Sequence, residues 1–515
     1  MTLKMDEACE TRWKLAALGL AIYAIVIRFL IWRGSGFGGE DAYITMRYAE
    51  NLAHGNGFVF NLGERVQGST TPLGTMLVAM GVRLGLDSMS FSRTLGILAD
   101  GITTFFIARW LARPAYGAKW AGLFAALLWA LDRASHEVAV SGMETPLVTL
   151  AGVLGFWAVL ERRPTLVAVL GATLLLLRID TVPLVGTLAM CAALRGVRFS
   201  RRDAATLCLP PLAWVLFSWV YFGSPLPNSL RAKLWAYPAS WHASLGGFEN
   251  QFGGSIGKLT ILLCVAGALI LLAQIARSSA AAVSSTSTFW RDERVVLLAA
   301  FVWMLVYYGA LILGRRPVFY WYLLPPRPYF WMLVVWPFSF AANFFLKKFF
   351  RDFRPVTPLW KNSLAAISLA VMMIAASRWQ VHRVVPILAV QQQFQNAVIP
   401  PLSQFLQQNV RDDERVMLEP IGYIGYFSRR RVLDLVGLVS PEVGASYRTK
   451  TPLADMLTRL QPQWLCLRPS EVAALKQQDP SLPEKFYRLE KTFFTLRNRL
   501  ICCFTALPKL RHWLR

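Results

Sequence analysis

The feature that most constrains this chain is a succession of long apolar runs that begins near residue 13 and stops near residue 377. A helix that crosses a bilayer needs about 20 predominantly apolar residues, and fewer where neighbours cover it. Runs of that kind lie at 13–32, 91–112, 119–132, 143–160, 164–178, 181–195, 204–222, 256–276, 295–314, 320–346 and 362–377. Together they predict about eleven transmembrane helices. The segment 72–86 is apolar but short, and it holds Arg83, which predicts an interfacial helix. Composition agrees, since only 16% of the 515 residues are charged and 55% are hydrophobic, whereas a soluble chain carries roughly a quarter charged residues. The expected fold class is therefore an α-helical polytopic membrane protein.

The net charge of +24 would suggest nucleic acid in a soluble protein. Here the Lys and Arg residues sit between apolar runs, where they read as topogenic charges facing anionic lipid, and nucleic acid is set aside. With the N-terminus and its Lys4, Arg12 and Lys14 in the cytoplasm, the same side receives Arg113 and Lys119, then Arg162 and Arg163, then Arg195, Arg198, Arg201 and Arg202. Arg277, Arg291 and Arg294 follow, and then Lys347, Lys348, Arg351, Arg354 and Lys361. An odd number of spans puts residues 378–515 outside. The first run, Trp13 to Trp32, is followed by Arg33 rather than by small residues, so it reads as a retained anchor.

This sidedness carries a check within the sequence. The segments that hold chemically interesting residues, at 38–71, 141–145, 178–180, 221–233 and 315–322, all come out on the extracytoplasmic face. In the first of them Glu40 and Asp41 are adjacent carboxylates just past the first span, followed by an amphipathic stretch with Ile44, Tyr48 and Leu52 on one face, expected to lie along the membrane. They can deprotonate an acceptor hydroxyl or simply cap that helix. In SGMETP, Glu144 and Thr145 can cap a helix opened by Pro146, or Glu144 can hold a sugar hydroxyl or a metal. Arg178 and Asp180 can pair with each other, or Arg178 can neutralise a departing phosphate. In YFGSPLPNSLRAK, Asn228 or Ser229 caps a helix bearing Arg231 and Lys233, which are phosphate candidates or snorkelling charges. Arg315 and Arg316 run against the topogenic trend, and Tyr320, Trp321 and Tyr322 beside them are an interfacial belt or a platform for a sugar.

No pair of histidines has ligand spacing; His136 and Glu144 leave a divalent cation as one option. No phosphate-loop or dinucleotide fingerprint is present. Beyond about residue 378 the chain turns polar. Arg415–Glu419, Val432–Val436 and Gln463–Leu467 read as strands, and Pro400–Gln408 and Pro452–Leu460 as helices, which predicts a small α/β domain over 378–515. Asp434 lies in one strand-like run with a structural and a functional role both open. One disulfide among Cys466, Cys502 and Cys503 is open if this domain faces an oxidising compartment. The basic stretch Lys509 to Arg515 suits lipid headgroups.

The stretch EDAYITMRYAENLAHGNGFVFNLGERVQGSTTPL resembles the first outer loop of bacterial GT-C glycosyltransferases related to arabinofuranosyltransferases, of the cell-wall and type IV pilin kinds. SGMETPL, the Arg178/Asp180 element and YFGSPLPNSLRAK are similar to later loops of that family in the same order, and GYIGYFSRRRVLDLVGLVSPEV extends the likeness. The resemblance covers roughly 30–330 and 422–443. It implies a bacterial inner-membrane enzyme with a GT-C module over 1–377, its amphipathic first periplasmic loop at 33–90, and a periplasmic domain over 378–515. The donor would be a polyprenyl-phosphate-linked sugar, the acceptor a glycan, glycolipid or protein hydroxyl, and the base a carboxylate of the first loop. Where the family usually carries two Asp residues, this chain has Glu40-Asp41; Asp41 keeps the family's residue type, with Glu40 assisting. Arg178, Asp180, Asn228, Arg231, Lys233, Arg315, Arg316, Tyr320, Glu144 and Tyr43 are the expected donor-phosphate and substrate contacts. QGSTTPL lacks the aromatic residue often found where Ser69 stands. A lipid-linked-sugar flippase, a membrane scaffold and a mannosyl- or aminoarabinose-type transferase of the same architecture are the alternatives.

Overall fold

A computed structural model describes residues 2–116, 119–237, 240–252, 254–281, 287–315, 318–349, 359–494 and 499–507. The basic stretch 509–515 lies outside them. The chain divides into two compact units, one of residues 1–36, 93–210 and 239–388, the other of residues 37–92, 211–238 and 389–515.

The first unit is helical. Among the described residues of the whole chain, five helices are long and apolar enough to cross a membrane: Glu10–Ser35, Ser88–Leu111, Arg201–Phe222, Gly257–Ala280 and Arg294–Leu313, of which residues 88–92 and 211–222 belong to the second unit. Arg133–Val140 and Thr145–Leu160 make a sixth if the pair, bent by 118°, counts as one span. The runs at 119–132, 164–178 and 181–195 form shorter apolar helices, and those at 320–346 and 362–377 fall in helices Arg327–Phe349 and Leu359–Asn409. The breaks have local causes. Gly142 takes a positive φ of 84° between the bent pair, and Pro146 occupies the first turn of the second helix, where no amide hydrogen is needed. Arg178 is extended at the end of Pro164–Leu177, and Pro183 begins the next helix in the same way.

Several buried charges inside this unit are paired. Arg28 is fully buried, its Nε 2.5 Å from Asp100 Oδ2, and Ser135 bridges the pair by accepting from Arg28 at 2.7 Å and donating to Asp100 at 2.7 Å. Asp132 caps helix Arg133–Val140 through Ser135 N (3.1 Å) and also takes Trp331 Nε1 (2.8 Å) and Arg327 Nε (3.0 Å). Helices Gly254–Ala281 and Arg327–Phe349 approach so closely at Gly267 that a Cβ there would stand 2.1 Å from the Leu333 carbonyl oxygen.

The second unit joins three stretches of chain around a five-stranded sheet, β1 (Arg415–Leu418), β2 (Arg431–Asp434), β3 (Trp464–Leu467), β4 (Tyr487–Phe494) and β5 (Arg499–Ala506), in the order β2-β1-β3-β5-β4. β1 is parallel to both β2 and β3, while β5 is antiparallel to β3 and β4. The apolar runs Val416–Leu418 and Trp464–Leu467 suit strands covered on both faces, and β3 is buried along its whole length. Met417, Leu433, Val443, Leu457, Leu465, Leu475 and Phe504 build the core of this layer.

Residue 378, where polarity changes, lies within the helix Leu359–Asn409, and the stretch expected as a separate helix at Pro400–Gln408 is the end of it. The helix Glu40–Ala53 buries Ile44 and Tyr48, the residues expected along the membrane, inside the protein. Asn61 explains part of this: its side chain accepts from Val432 N at 3.0 Å and donates to Val432 O at 2.8 Å, continuing the edge of β2. Arg47, also buried, donates to Gly425 O (2.6 Å) and Arg430 O (2.8 Å) and lies over the Phe60 ring. Asn228 does not cap its helix through its side chain; it donates to Gly437 O (2.7 Å) and Leu438 O (3.0 Å), while its own N–H reaches Gln67 O.

Candidate active site

Glu40 and Asp41 form the first turn of helix Glu40–Ala53, the end at which unsatisfied N–H groups favour negative charge. Their surroundings differ. Glu40 accepts from the N–H of Gly422, whose missing side chain permits the approach, because a Cβ there would meet Glu40 O at 2.1 Å. Burial, then the Asp41 carboxylate beside it and Glu419 further off, push the Glu40 carboxyl well above the usual carboxylate range, against the pull of the Gly422 N–H. Asp41 is partly exposed and stands 3.7 Å from Lys233 Nζ. A Glu40 whose carboxyl is pushed up, beside a partly exposed Asp41 and the Lys233 cation, is an arrangement suited to acid–base chemistry.

Two residues that sequence reasoning passed over, Glu419 and Arg468, join this cluster, together with Asp434, whose role the sequence left open. Glu419 follows β1, accepting from Tyr237 OH at 2.9 Å and from Arg468 Nη2 at 2.7 Å. Arg468 follows β3, and Asp434 closes β2. All three therefore stand at the carboxyl ends of the parallel strands, where the connections to β2 and β3 diverge from the central strand and where α/β sheets take ligands. The signal was readable, because two of the expected strands ended at Glu419 and Leu467. Asp434 itself is fully buried and accepts from the N–H groups of Val436 (2.8 Å), Val439 (3.2 Å) and Leu438, so its role is to shape the loop around Gly437.

Of the other expected contacts in this unit, Tyr43 is buried against Tyr423, Tyr426 and Phe427 at ring separations of 4.7, 5.1 and 5.3 Å, a packing role. Arg231 is exposed. Asn228 shapes the loop described above.

The first unit assembles a second polar group. Arg178 reaches Asp180 with two bonds (Nε–Oδ1 2.9 Å, Nη2–Oδ2 2.7 Å) and Glu144 with one (3.2 Å). Tyr307 OH lies 3.4 Å from Asp180, and the guanidinium sits over the Tyr322 ring at 5.0 Å. Tyr307 lies in an apolar helix with no motif around it, which left it unreadable in the sequence. Arg315 is exposed with a positive φ of 52°, Tyr320 lies in the short helix Tyr320–Leu323, and Arg316 is outside the described residues. For a metal, the donor set is poor. Glu144 already faces Arg178, His136 is buried with no polar partner at either ring nitrogen, and no group of three or more His, Cys, Asp or Glu suited to a metal occurs among the described residues.

The protein is similar over 95% of its length to the crystal structure of ArnT from Cupriavidus metallidurans bound to undecaprenyl phosphate, with a TM-score of 0.57, 12% identity and 98% of that chain covered. The apo state of the same protein gives a TM-score of 0.54 at 14% identity, over 98% of this chain and 99% of that one. The chain has the GT-C fold. Residues 385–509 match a family described as a domain of unknown function, DUF8728. A terminal beta-(1->2)-arabinofuranosyltransferase of Mycobacterium tuberculosis is 28% identical over 215 residues, which is 38% of this chain. The chain matches 34% of that relative's length.

Proposed function

We propose that this protein is a membrane glycosyltransferase that moves a sugar, arabinofuranose in the first instance, from a polyprenyl-phosphate donor to an acceptor hydroxyl on the extracytoplasmic face. The observation that carries the reading is the adjacent pair Glu40 and Asp41, the first accepting from the Gly422 N–H with its carboxyl pushed well up, the second beside Lys233. Asp41 takes the acceptor's proton as the acceptor oxygen bonds to the anomeric carbon and the bond from that carbon to the phosphate oxygen breaks. Glu40 stays neutral and spares Asp41 a second charge at its side. Glu419, Tyr237 and Arg468 supply the acceptors and donors that suit a sugar's hydroxyl groups.

Arg178 is our candidate for the donor's phosphate, with Glu144, Asp180, Arg315 and Tyr320 as further substrate contacts. Its contact with Glu144 is single and longer than those with Asp180, so the phosphate would displace Glu144. The relatives support transfer chemistry: one is named an arabinofuranosyltransferase, and ArnT holds a polyprenyl phosphate. The flippase alternative would need an ionisable group free to couple within a span, and Asp100 is instead tied to Arg28 and Ser135. About eleven spans, a cytoplasmic N-terminus, a periplasmic C-terminal domain and a place in the bacterial inner membrane complete the proposal.

The test is purified protein given a panel of synthetic polyprenyl-phosphate sugars, arabinofuranose and aminoarabinose among them. Transfer to a hydroxyl acceptor is expected for one sugar, with a loss of at least about a hundredfold in Asp41→Asn. Full activity in that variant would remove Asp41 as the base. Inertness toward every donor, combined with movement of the lipid across liposomes, would favour the flippase.

A further inference from the structure

β3 and β5 bring two of the three cysteines of the C-terminal sheet face to face. The register sets Cys466 opposite Cys503 and Leu467 opposite Cys502. Neighbouring residues of a strand point to opposite faces, and Cys502 accordingly joins Leu467, Leu465 and Phe504 in the apolar core on one side. Cys466 and Cys503 turn to the other side, both fully buried, with their sulfurs 2.8 Å apart.

The ladder says which kind of pair this is. Ala506 N bonds to Gln463 O at 2.9 Å, so the pair Gln463–Ala506 is hydrogen-bonded. Antiparallel pairs alternate, and three steps along, Cys466–Cys503 is of the non-hydrogen-bonded kind, with Cα atoms about 4.5 Å apart. That spacing lies inside the range a disulfide spans, about 4.4 to 6.8 Å. Two thiols with no third His, Cys, Asp or Glu ligand among the described residues do not make a metal site.

We infer that Cys466 and Cys503 are joined by a disulfide in the mature protein, with Cys502 left as a thiol. The inference rests on the extracytoplasmic placement of this domain proposed above. Each thiol gives up one proton and one electron as the S–S bond forms, and the disulfide of an accepting thiol oxidase takes both electrons and both protons to become a dithiol. Burial, and the neighbouring Cys466, keep the Cys503 thiol well above its usual range, so the folded, reduced pair holds little of the reactive thiolate. Burial of both sulfurs shelters the bond from reductant once the sheet has closed.

The test uses the full chain purified from membranes. Thiols are blocked with N-ethylmaleimide in denaturant before any reductant is added, and the digest is read by mass spectrometry. The expected result is a linked pair of peptides carrying Cys466 and Cys503, with Cys502 alkylated. The link should survive reductant given to the folded protein and disappear when reductant is given with denaturant. Alkylation of both Cys466 and Cys503 without reduction overturns the inference. In parallel, Ser470→Cys, at an exposed position, is probed in right-side-out spheroplasts with a membrane-impermeant maleimide. Labelling without a link overturns the pairing and leaves the sidedness intact. Absence of labelling removes the oxidising compartment, and the inference falls with the proposed topology.

Discussion

Glu40 and Asp41 are chain neighbours, yet one is enclosed by the Gly422 backbone and the other opens toward Lys233. The contrast has a pH signature. A carboxyl raised in the folded state binds its proton where the unfolded chain has already released it, so its contribution to stability is complete below the ordinary Glu range and is lost as pH rises through the raised value. Thermal unfolding in detergent across that window should show the wild type losing stability with rising pH relative to Glu40→Gln, which cannot ionise. Parallel pH profiles for the two proteins would contradict the assignment of Glu40 as the protonated partner. A second residue-scale outcome concerns Asn61, whose two bonds to Val432 end the sheet. Asn61→Ala leaves buried backbone groups of β2 unmatched and should cost about 1–3 kcal/mol, read from the same unfolding measurement.

At the scale of elements, the helix breaks and the strand ends place the chemistry. Glu144 sits in the bend after Gly142, Arg178 at an extended residue between two helices, and Glu419 and Arg468 just past β1 and β3. Elsewhere, ion pairs hold helices together. Arg28 of the first helix and Asp100 of helix Ser88–Leu111 meet where neither reaches solvent. Removing one partner strands the other, so Asp100→Leu should destabilise the protein by roughly 3–5 kcal/mol, whereas Arg28→Leu/Asp100→Leu together should recover much of that loss. Equal unfolding temperatures for the single and double variants would show that the pair does not act as a unit.

For the whole molecule, what could be read in advance followed local rules. The apolar runs between 91 and 314 located their helices to within a few residues, and Pro146 marked where SGMETP interrupts them. Arg178 and Asp180, two residues apart, could be anticipated as partners. What escaped depends on distance along the chain. The polarity change near 378 reads as a boundary, although the helix runs on to Asn409 through Pro386, Pro400 and Pro401. β4 and β5 are strands whose pairing, like the choice of Cys503 over Cys502, is fixed by register. Glu419 and Tyr237 meet across 182 positions, a separation no periodicity reports.

The bond from Gly422 to Glu40 spans 382 positions. At about 5–20 residues per second, a ribosome needs roughly 20 to 80 seconds to make the stretch that separates them. Throughout that interval the helix bearing Asp41 has emerged without the Gly422 backbone that sets Glu40 apart from its neighbour and without the Tyr423, Tyr426 and Phe427 rings that cover Tyr43. Completion of this unit is therefore late: its first segment waits, with the Tyr43 ring uncovered, until the last one arrives.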